Sequence, residues 1–95
     1  MSLRFEWDPK KAAANRAKHG VTFEEAASVF GDPLGRIVDD PRHSFDEQRH
    51  LVLRFSERQR LLAVMFTERQ EATIRLISAR TATRQERRNY EERNG

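Results

Sequence analysis

The sequence lacks cysteine entirely and contains only four glycines and three prolines. The absence of cysteine excludes disulfide bonds, cysteine-ligated zinc and a thiol nucleophile. The glycines stand singly, so no phosphate-binding glycine loop is present, and no serine lies in the Gly-x-Ser-x-Gly turn of serine hydrolases. These absences remove the common cysteine, serine and glycine-loop chemistries from consideration.

Long apolar segments are missing as well. No stretch approaches the ~20 apolar residues that a membrane-spanning helix needs, and residues 1–6 do not form the apolar run of a signal peptide. We therefore expect a cytoplasmic protein. Histidine is scarce, and His19, His43 and His50 do not have the spacing of common zinc motifs, so we expect neither a metal site nor a cofactor.

Charged residues are abundant. Lysine and arginine number 18 and aspartate and glutamate 15, which gives a net charge of +3, and most of the cations are arginine. The guanidinium group is a planar fork that binds phosphate or carboxylate at two points. This balance favours a polyanion or an acidic protein as partner, although a well-solvated small domain has a similar composition.

The length of 95 residues predicts a single domain spanning residues 1–95. A chain of this size has little room for both a full core and a deep pocket, so a surface groove or a flat face is the expected working surface. Residues 3–7 alternate apolar and polar side chains, which predicts a strand. Asp8 and Pro9 are typical of a helix start, and Gly20 is typical of its end.

The next segment predicts a second helix. Thr22 and Glu25 have the spacing of a capping box, and Phe23, Ala26, Ala27 and Phe30 lie on one face at helical spacing. That stripe is typical of a core-facing helix.

Strands dominate the second half of the chain. Residues 35–39, 49–55, 61–66 and 73–78 read as strands joined by short turns, which predicts an antiparallel meander. In 49–55 the alternation places Leu51, Leu53 and Phe55 on one side and mostly polar residues on the other. A second capping box, Thr83 with Glu86, predicts a C-terminal helix to about residue 93 that is almost wholly polar. We predict an α+β fold with two N-terminal helices packed on a three- to four-strand antiparallel sheet, followed by that polar helix.

Basic side chains with a few acids form the candidate functional set. Lys11, Asn15 and Lys18 share one face of the first helix, and His19 ends it. Arg49 and Arg75 lie among apolar strand residues, and two arginines projecting from one sheet would form a phosphate clamp. Arg80 is predicted in the bend before the last helix. On that helix a basic stripe is formed by Arg84, Arg87, Arg88 and Glu91, and Glu86 and Tyr90 lie four apart on a different face. Glu86 is accounted for equally well by the capping box alone.

This set suits RNA cleavage without metal. The 2′-hydroxyl of RNA is an internal nucleophile, so a protein needs to position it, remove its proton, stabilise a dianionic phosphorane and protonate the leaving oxygen. Arginine suits the third task. Histidine, glutamate or tyrosine suits the second and the fourth, and the sequence leaves open which residue is base and which is acid.

Several motifs follow each other in the order of a known family. They are FEWDPKK at residues 5–11, Asn15, KHGVTF at 18–23, Ala26, Phe30, Asp32-Pro33, Glu47, Arg49, IRLISAR at 74–80, Ala82-Thr83, ERR at 86–88 and Tyr90-Glu91. Together they resemble the BrnT toxins of type II toxin–antitoxin systems over nearly the whole chain. The resemblance marks Trp7 as a further candidate functional residue.

The resemblance implies a RelE/ParE-like fold and a ribonuclease toxin that blocks translation. It implies neutralisation by a BrnA-like antitoxin with a ribbon-helix-helix DNA-binding domain, contact with operator DNA only through that antitoxin, and a heterotetramer of two toxins and two antitoxins. The predicted catalytic residues are His19, Arg49, Arg75, Arg80, Glu86 and Tyr90. The predicted RNA-binding residues are Lys11, Lys18, Arg54, Arg84, Arg87 and Arg88.

Three positions depart from the family pattern. Arg54, Phe66 and Thr81 stand where glycine, tyrosine and lysine are common among BrnT toxins. Loss of the lysine is expected to weaken RNA binding, and Arg54 is expected to supply a replacement charge on the same sheet. Two other functions stay open at this point: a non-catalytic basic binding module, and a poison of a protein target such as some RelE/ParE-like domains.

Overall fold

Three α-helices and a five-stranded sheet form the part of the chain described by the computed structural model, which comprises residues 3–31, 36–38 and 49–94. In chain order the elements are β1 (Arg4–Glu6), α1 (Pro9–His19), α2 (Phe23–Ser28), a 3₁₀ turn (Val29–Gly31), β2 (Arg36–Val38), β3 (Arg49–Phe55), β4 (Leu61–Arg69), β5 (Thr73–Thr81) and α3 (Arg84–Asn94). Within these ranges no helix is long and apolar enough to cross a membrane.

The ends of α1 follow from local chemistry. The side chain of Asp8 accepts a hydrogen bond from the backbone N–H of Lys10 at 2.8 Å, and Pro9 occupies the first turn, where no backbone donor is needed. Gly20 ends the helix in the left-handed conformation with φ of 68°, and its N–H donates to the carbonyl of Arg16. The predicted start and end of this helix are confirmed.

The sheet has the strand order β1-β5-β4-β3-β2. Strands β2 to β5 pair antiparallel in sequence, as the short turns predict. The first strand pairs parallel with β5, which makes the sheet mixed. The predicted α+β class is confirmed, whereas the parallel edge was not predicted because a three-residue strand carries no signal for its partner.

One face of the sheet is covered by α1 and α2. Phe23, Phe66, Val64 and Leu76 belong to the buried core on this side. The ring of Phe30 meets that of Phe66 edge-on, with centroids 4.9 Å apart. Trp7, which the family resemblance marks as functional, packs edge-on against Phe23 at 5.9 Å and so contributes to this core.

The faces of β3 are assigned by its pairing with β4. Val52 pairs with Val64, and Arg54 pairs with Leu62, so both side chains point toward the helices and are buried. The apolar side of the strand, which includes Leu53, points to the opposite face and is only half-buried. The side that looks more polar in sequence is therefore the one that faces the core.

A β-bulge changes the faces along β5. Ser78 pairs with Met65, whereas Leu76 pairs with Phe66, so Ile77 is an extra residue with no partner of its own. An extra residue breaks the strict alternation of side chains between the two faces. As a result Arg75 and Arg80 lie on the same face. Pairing with β4 continues through Thr81, so Arg80 lies within β5 rather than in the predicted bend.

Candidate functional site

The face of the sheet opposite α1 and α2, here called the open face, brings three strand arginines to one side. Arg49 and Arg75 both pair with Thr67 from its two sides, so their Cα atoms lie about 10 Å apart in one row across the sheet. Arg80 pairs with Ala63, four residues away along β4, or about 13 Å. The pair of strand arginines predicted to project from one sheet is therefore present.

Arg75 lies against a carboxylate of the edge strand. Its Nη1 donates to Oε2 of Glu6 at 2.7 Å, and Glu6 is the residue that pairs with Arg75 across β1 and β5. Both side chains remain partly exposed, so the pair is accessible from solvent and the ion pair alone contributes little to stability.

Arg80 and Glu86 form a charged hydrogen-bonded pair on the open face. Nη1 and Nη2 of Arg80 donate to the two carboxylate oxygens of Glu86 at 2.6 and 3.0 Å, which is the bidentate geometry that guanidinium groups favour. These hydrogen bonds are the main cause that lowers the pKa of Glu86.

Glu86 also closes the capping box of α3. Its Oε1 accepts the backbone N–H of Thr83 at 2.9 Å, while Oγ1 of Thr83 accepts the backbone N–H of Glu86 at 3.1 Å. The capping prediction is confirmed. The cap holds Glu86 at the first turn of α3, directly beside the arginine in β5.

Tyr90 lies one helical turn beyond Glu86 and rests on the same face of the sheet. Its ring meets Phe55 edge-on with centroids 5.5 Å apart, and Phe55 pairs with Leu61 on the open face. The otherwise polar helix α3 thus has one aromatic anchor on the sheet. Its basic stripe is exposed and consists of Arg84, Arg87 and Arg88.

The predicted residues of α1 belong to a helix that packs on the core and along β5. Lys11 and Lys18 are exposed on the helix that covers the core face, and His19 is half-buried at its end. Among the contacts of the described residues, none joins His19 to the predicted residues of the open face. Asn15, predicted on the same stripe, points inward and bonds to the backbone of Val21 and Ala79.

Arg54 does not lie on an RNA-accessible surface. The residue is only 9% exposed, and its Nη1 donates to the carbonyl of Val29 at 2.7 Å beneath α2. The expectation that it replaces a lost surface charge is wrong for this reason. Its charge instead meets the end of the α2 segment, where backbone carbonyls favour a cation.

The burial of the Glu25 carboxylate was not predicted from the sequence. Glu25 is 3% exposed, and its carboxylate accepts hydrogen bonds from Ser56 at 2.7 Å and from Arg60 Nε at 2.9 Å, with a further contact to Arg60 Nη2. The bond with Arg60 lowers the pKa of Glu25 and raises that of Arg60. Only half of the predicted capping box forms, since Thr22 accepts from the N–H of Glu25 while the carboxylate turns to the β3–β4 turn.

Known proteins were compared with the chain and its fold. No match was found among curated proteins. The crystal structure of the Brucella abortus ribonuclease toxin BrnT, at 1.1 Å resolution, is similar, with a TM-score of 0.68 and 20% sequence identity over 87% of this chain and 100% of that chain. At that identity the similarity establishes the fold alone. A family model described as "Ribonuclease toxin, BrnT, of type II toxin-antitoxin system" matches residues 7–86, which is most of the sequence. The chain therefore belongs to the BrnT family of ribonuclease toxins.

Proposed function

We propose that this protein is a metal-independent endoribonuclease that cleaves RNA on the open face and thereby blocks translation. The observation that carries the proposal is that five of the six residues predicted to be catalytic lie on one face of the sheet. Arg49, Arg75 and Arg80 project from this face, Glu86 is bound to Arg80, and Tyr90 rests on Phe55 on the same face. Within the described part of the chain no contact joins His19 to these residues, and we assign it no role in the reaction.

Arg80 is the proposed stabiliser of the phosphorane. Its guanidinium already binds an oxyanion at two points, and a phosphate could take the place of the Glu86 carboxylate. Loss of the Arg80 contact would let the pKa of Glu86 rise toward its ordinary value, since that contact is the main cause of its lowering. Substrate binding would thus release Glu86 and make it a stronger base.

Glu86 is then the proposed base for the 2′-hydroxyl, and Tyr90 the proposed donor to the leaving 5′-oxygen. The two residues lie four apart on α3, so their side chains occupy neighbouring positions on the helix surface. The exposed arginines of α3 border the same site and suit contacts with flanking phosphates. RNA supplies its own nucleophile, so this scheme needs no metal-bound water.

A type II toxin family implies an antitoxin partner. We propose a BrnA-like antitoxin with a ribbon-helix-helix domain, in a complex of two toxins and two antitoxins in the cytoplasm. In that complex the toxin would reach operator DNA only through its partner. Light scattering and DNA binding of the co-expressed pair, compared with the toxin alone, would test both statements.

The test of the reaction is cleavage of naked RNA of defined sequence in EDTA by the purified, antitoxin-free protein. We expect new fragments with 2′,3′-cyclic or 3′-phosphate ends. Arg75→Ala and Arg80→Ala are expected to remove cleavage while the circular dichroism spectrum stays that of the folded domain. The matched control is Arg16→Ala, which removes an exposed arginine from α1 on the other side of the sheet.

Intact RNA would require a second assay with translating ribosomes, which tests whether cleavage depends on the ribosome. Intact RNA in both assays would overturn the proposal. Binding of RNA without cleavage would then favour a non-catalytic module, and arrest of replication before translation in an induced culture would favour a protein target. Full cleavage by both arginine variants would refute the roles assigned to those residues.

A further inference from the structure

Beyond the proposed cleavage point, one half of the open face carries an arginine on each of four neighbouring strands. This set, here called the arginine band, consists of Arg49 on β3, Arg69 on β4, Arg75 on β5 and Arg4 on β1. The first pairing row across the sheet contains Arg49, Thr67, Arg75 and Glu6, and the next contains Arg69, Thr73 and Arg4. Paired residues of a sheet point to the same face, so all four arginines lie on the open side.

Contacts of Glu6 support this arrangement. One oxygen of its carboxylate, Oε2, is 2.7 Å from Nη1 of Arg75 and 4.0 Å from Nε of Arg69. The position of Glu6 shows that an oxyanion fits between two members of the band. Among the described strand residues of these two rows, Glu6 is the single carboxylate.

The dimensions of the band suit a chain of anions. It crosses three interstrand spacings, or about 14 Å, and successive arginines are offset by one strand and two residues, or about 8 Å. A single phosphate is too small to contact all of it. The adjacent row toward Arg80 is apolar in part, with Leu51 and Met65 half-buried beside each other.

We infer that the arginine band is a phosphate-binding subsite for single-stranded RNA, separate from the Arg80–Glu86 pair. The ligand class rests on the proposed function. A regularly charged surface next to an apolar row matches a flexible polyanion whose phosphates follow the arginines while its bases contact Leu51 and Met65. Arg4 and Arg69 are the members of the band to which no role in cleavage is assigned, and both are exposed.

The experiment measures binding of a fluorescent 2′-O-methyl RNA oligonucleotide, which cannot be cleaved because its 2′-oxygen carries no proton. The full-length protein is compared with the double variant Arg4→Gln/Arg69→Gln and with Arg16→Gln as the matched control. We expect the double variant to raise Kd about fivefold or more and to reduce the slope of log Kd against log salt by about 1.4, or ~0.7 for each lost phosphate contact. The control is expected to retain the wild-type slope.

With cleavable RNA the same double variant is expected to raise KM while kcat is retained, because Arg4 and Arg69 bind substrate without taking part in the reaction. Unchanged Kd and salt slope in the double variant would overturn the inference, as would wild-type protein that does not bind the oligonucleotide. Neither result depends on cleavage. The binding experiment can therefore support the subsite when no cleavage is found, and cleavage can be found when the binding experiment overturns the subsite. Loss of binding to an acidic antitoxin segment with unchanged RNA binding would assign the band to the protein partner and overturn the subsite.

Discussion

Asn15 joins α1 to β5, and its replacement by alanine is expected to destabilise the domain severely. Its Nδ2 donates to the carbonyls of Val21 at 3.0 Å and Ala79 at 2.8 Å, and its Oδ1 accepts the backbone N–H of Ala79 at 3.0 Å. The side chain therefore pairs with Ala79 much as a neighbouring strand would, beyond the end of the short strand β1. Asn15 is 7% exposed and Ala79 is fully buried.

The magnitude follows from the groups left behind. Asn15→Ala leaves two buried carbonyls and one buried N–H without these partners, and each such group costs about 1–3 kcal/mol. Partial hydration and non-additivity bring the expected loss in the free energy of unfolding to about 3–5 kcal/mol. A small domain has about 5–15 kcal/mol in total. At about 4–8 °C per kcal/mol, Tm should fall by at least about 12 °C.

Asn15→Asp sharpens the test because it changes only the amide group to a carboxylate oxygen. The variant keeps an acceptor for the N–H of Ala79 but places a negative charge against the carbonyls of Val21 and Ala79. At neutral pH we expect it to be at least as unstable as Asn15→Ala. Urea denaturation followed by circular dichroism measures both. A loss below about 1 kcal/mol in Asn15→Ala, or wild-type stability in Asn15→Asp, would refute the reasoning.

Three further predictions concern the buried carboxylate, the cap of α3 and the end of α1. Because Arg60 lowers the pKa of Glu25, the ionised carboxylate stabilises the folded state above its ordinary pKa of 4.5, and this stabilisation is lost as pH falls through the lowered pKa. Glu25→Gln should thus lower the free energy of unfolding by about 1–2 kcal/mol at pH 7 and by progressively less in acid. A difference between variant and wild type that does not change with pH would contradict this. Thr83→Ala should lower the free energy of unfolding by about 1 kcal/mol through the lost cap but retain RNA cleavage, whereas Glu86→Gln should abolish cleavage. An equal loss of cleavage in both variants would show that Glu86 serves to dock the helix. Gly20→Ala should lower the free energy of unfolding by about 1 kcal/mol because of the φ of 68° alone, since the added Cβ meets no atom within 4 Å. An unchanged midpoint of urea denaturation would contradict this and show that the backbone of the turn relaxes.

The sequence by itself determined the elements whose causes are local. Asp8 and Pro9 start α1, Gly20 ends it, and Thr83 with Glu86 starts α3, because each of these signals acts within four residues of the chain. The bounds of β3 were also predicted correctly, since β-rich residues between turns suffice for that. The family motifs, which depend only on residue order, indicated the ribonuclease toxin family.

Only the tertiary structure decided which of these residues meet. The extra residue Ile77 in β5 puts Arg75 and Arg80 on one face, and no alternation rule applied to the sequence contains that bulge. Glu25 has the spacing of a capping residue, yet Arg60, 35 positions away, offers its carboxylate a stronger charged partner. Arg54 is buried because the register of β3 with β4 turns it toward the helices. In each case the deciding partner is distant in sequence, and its approach depends on how the whole sheet packs.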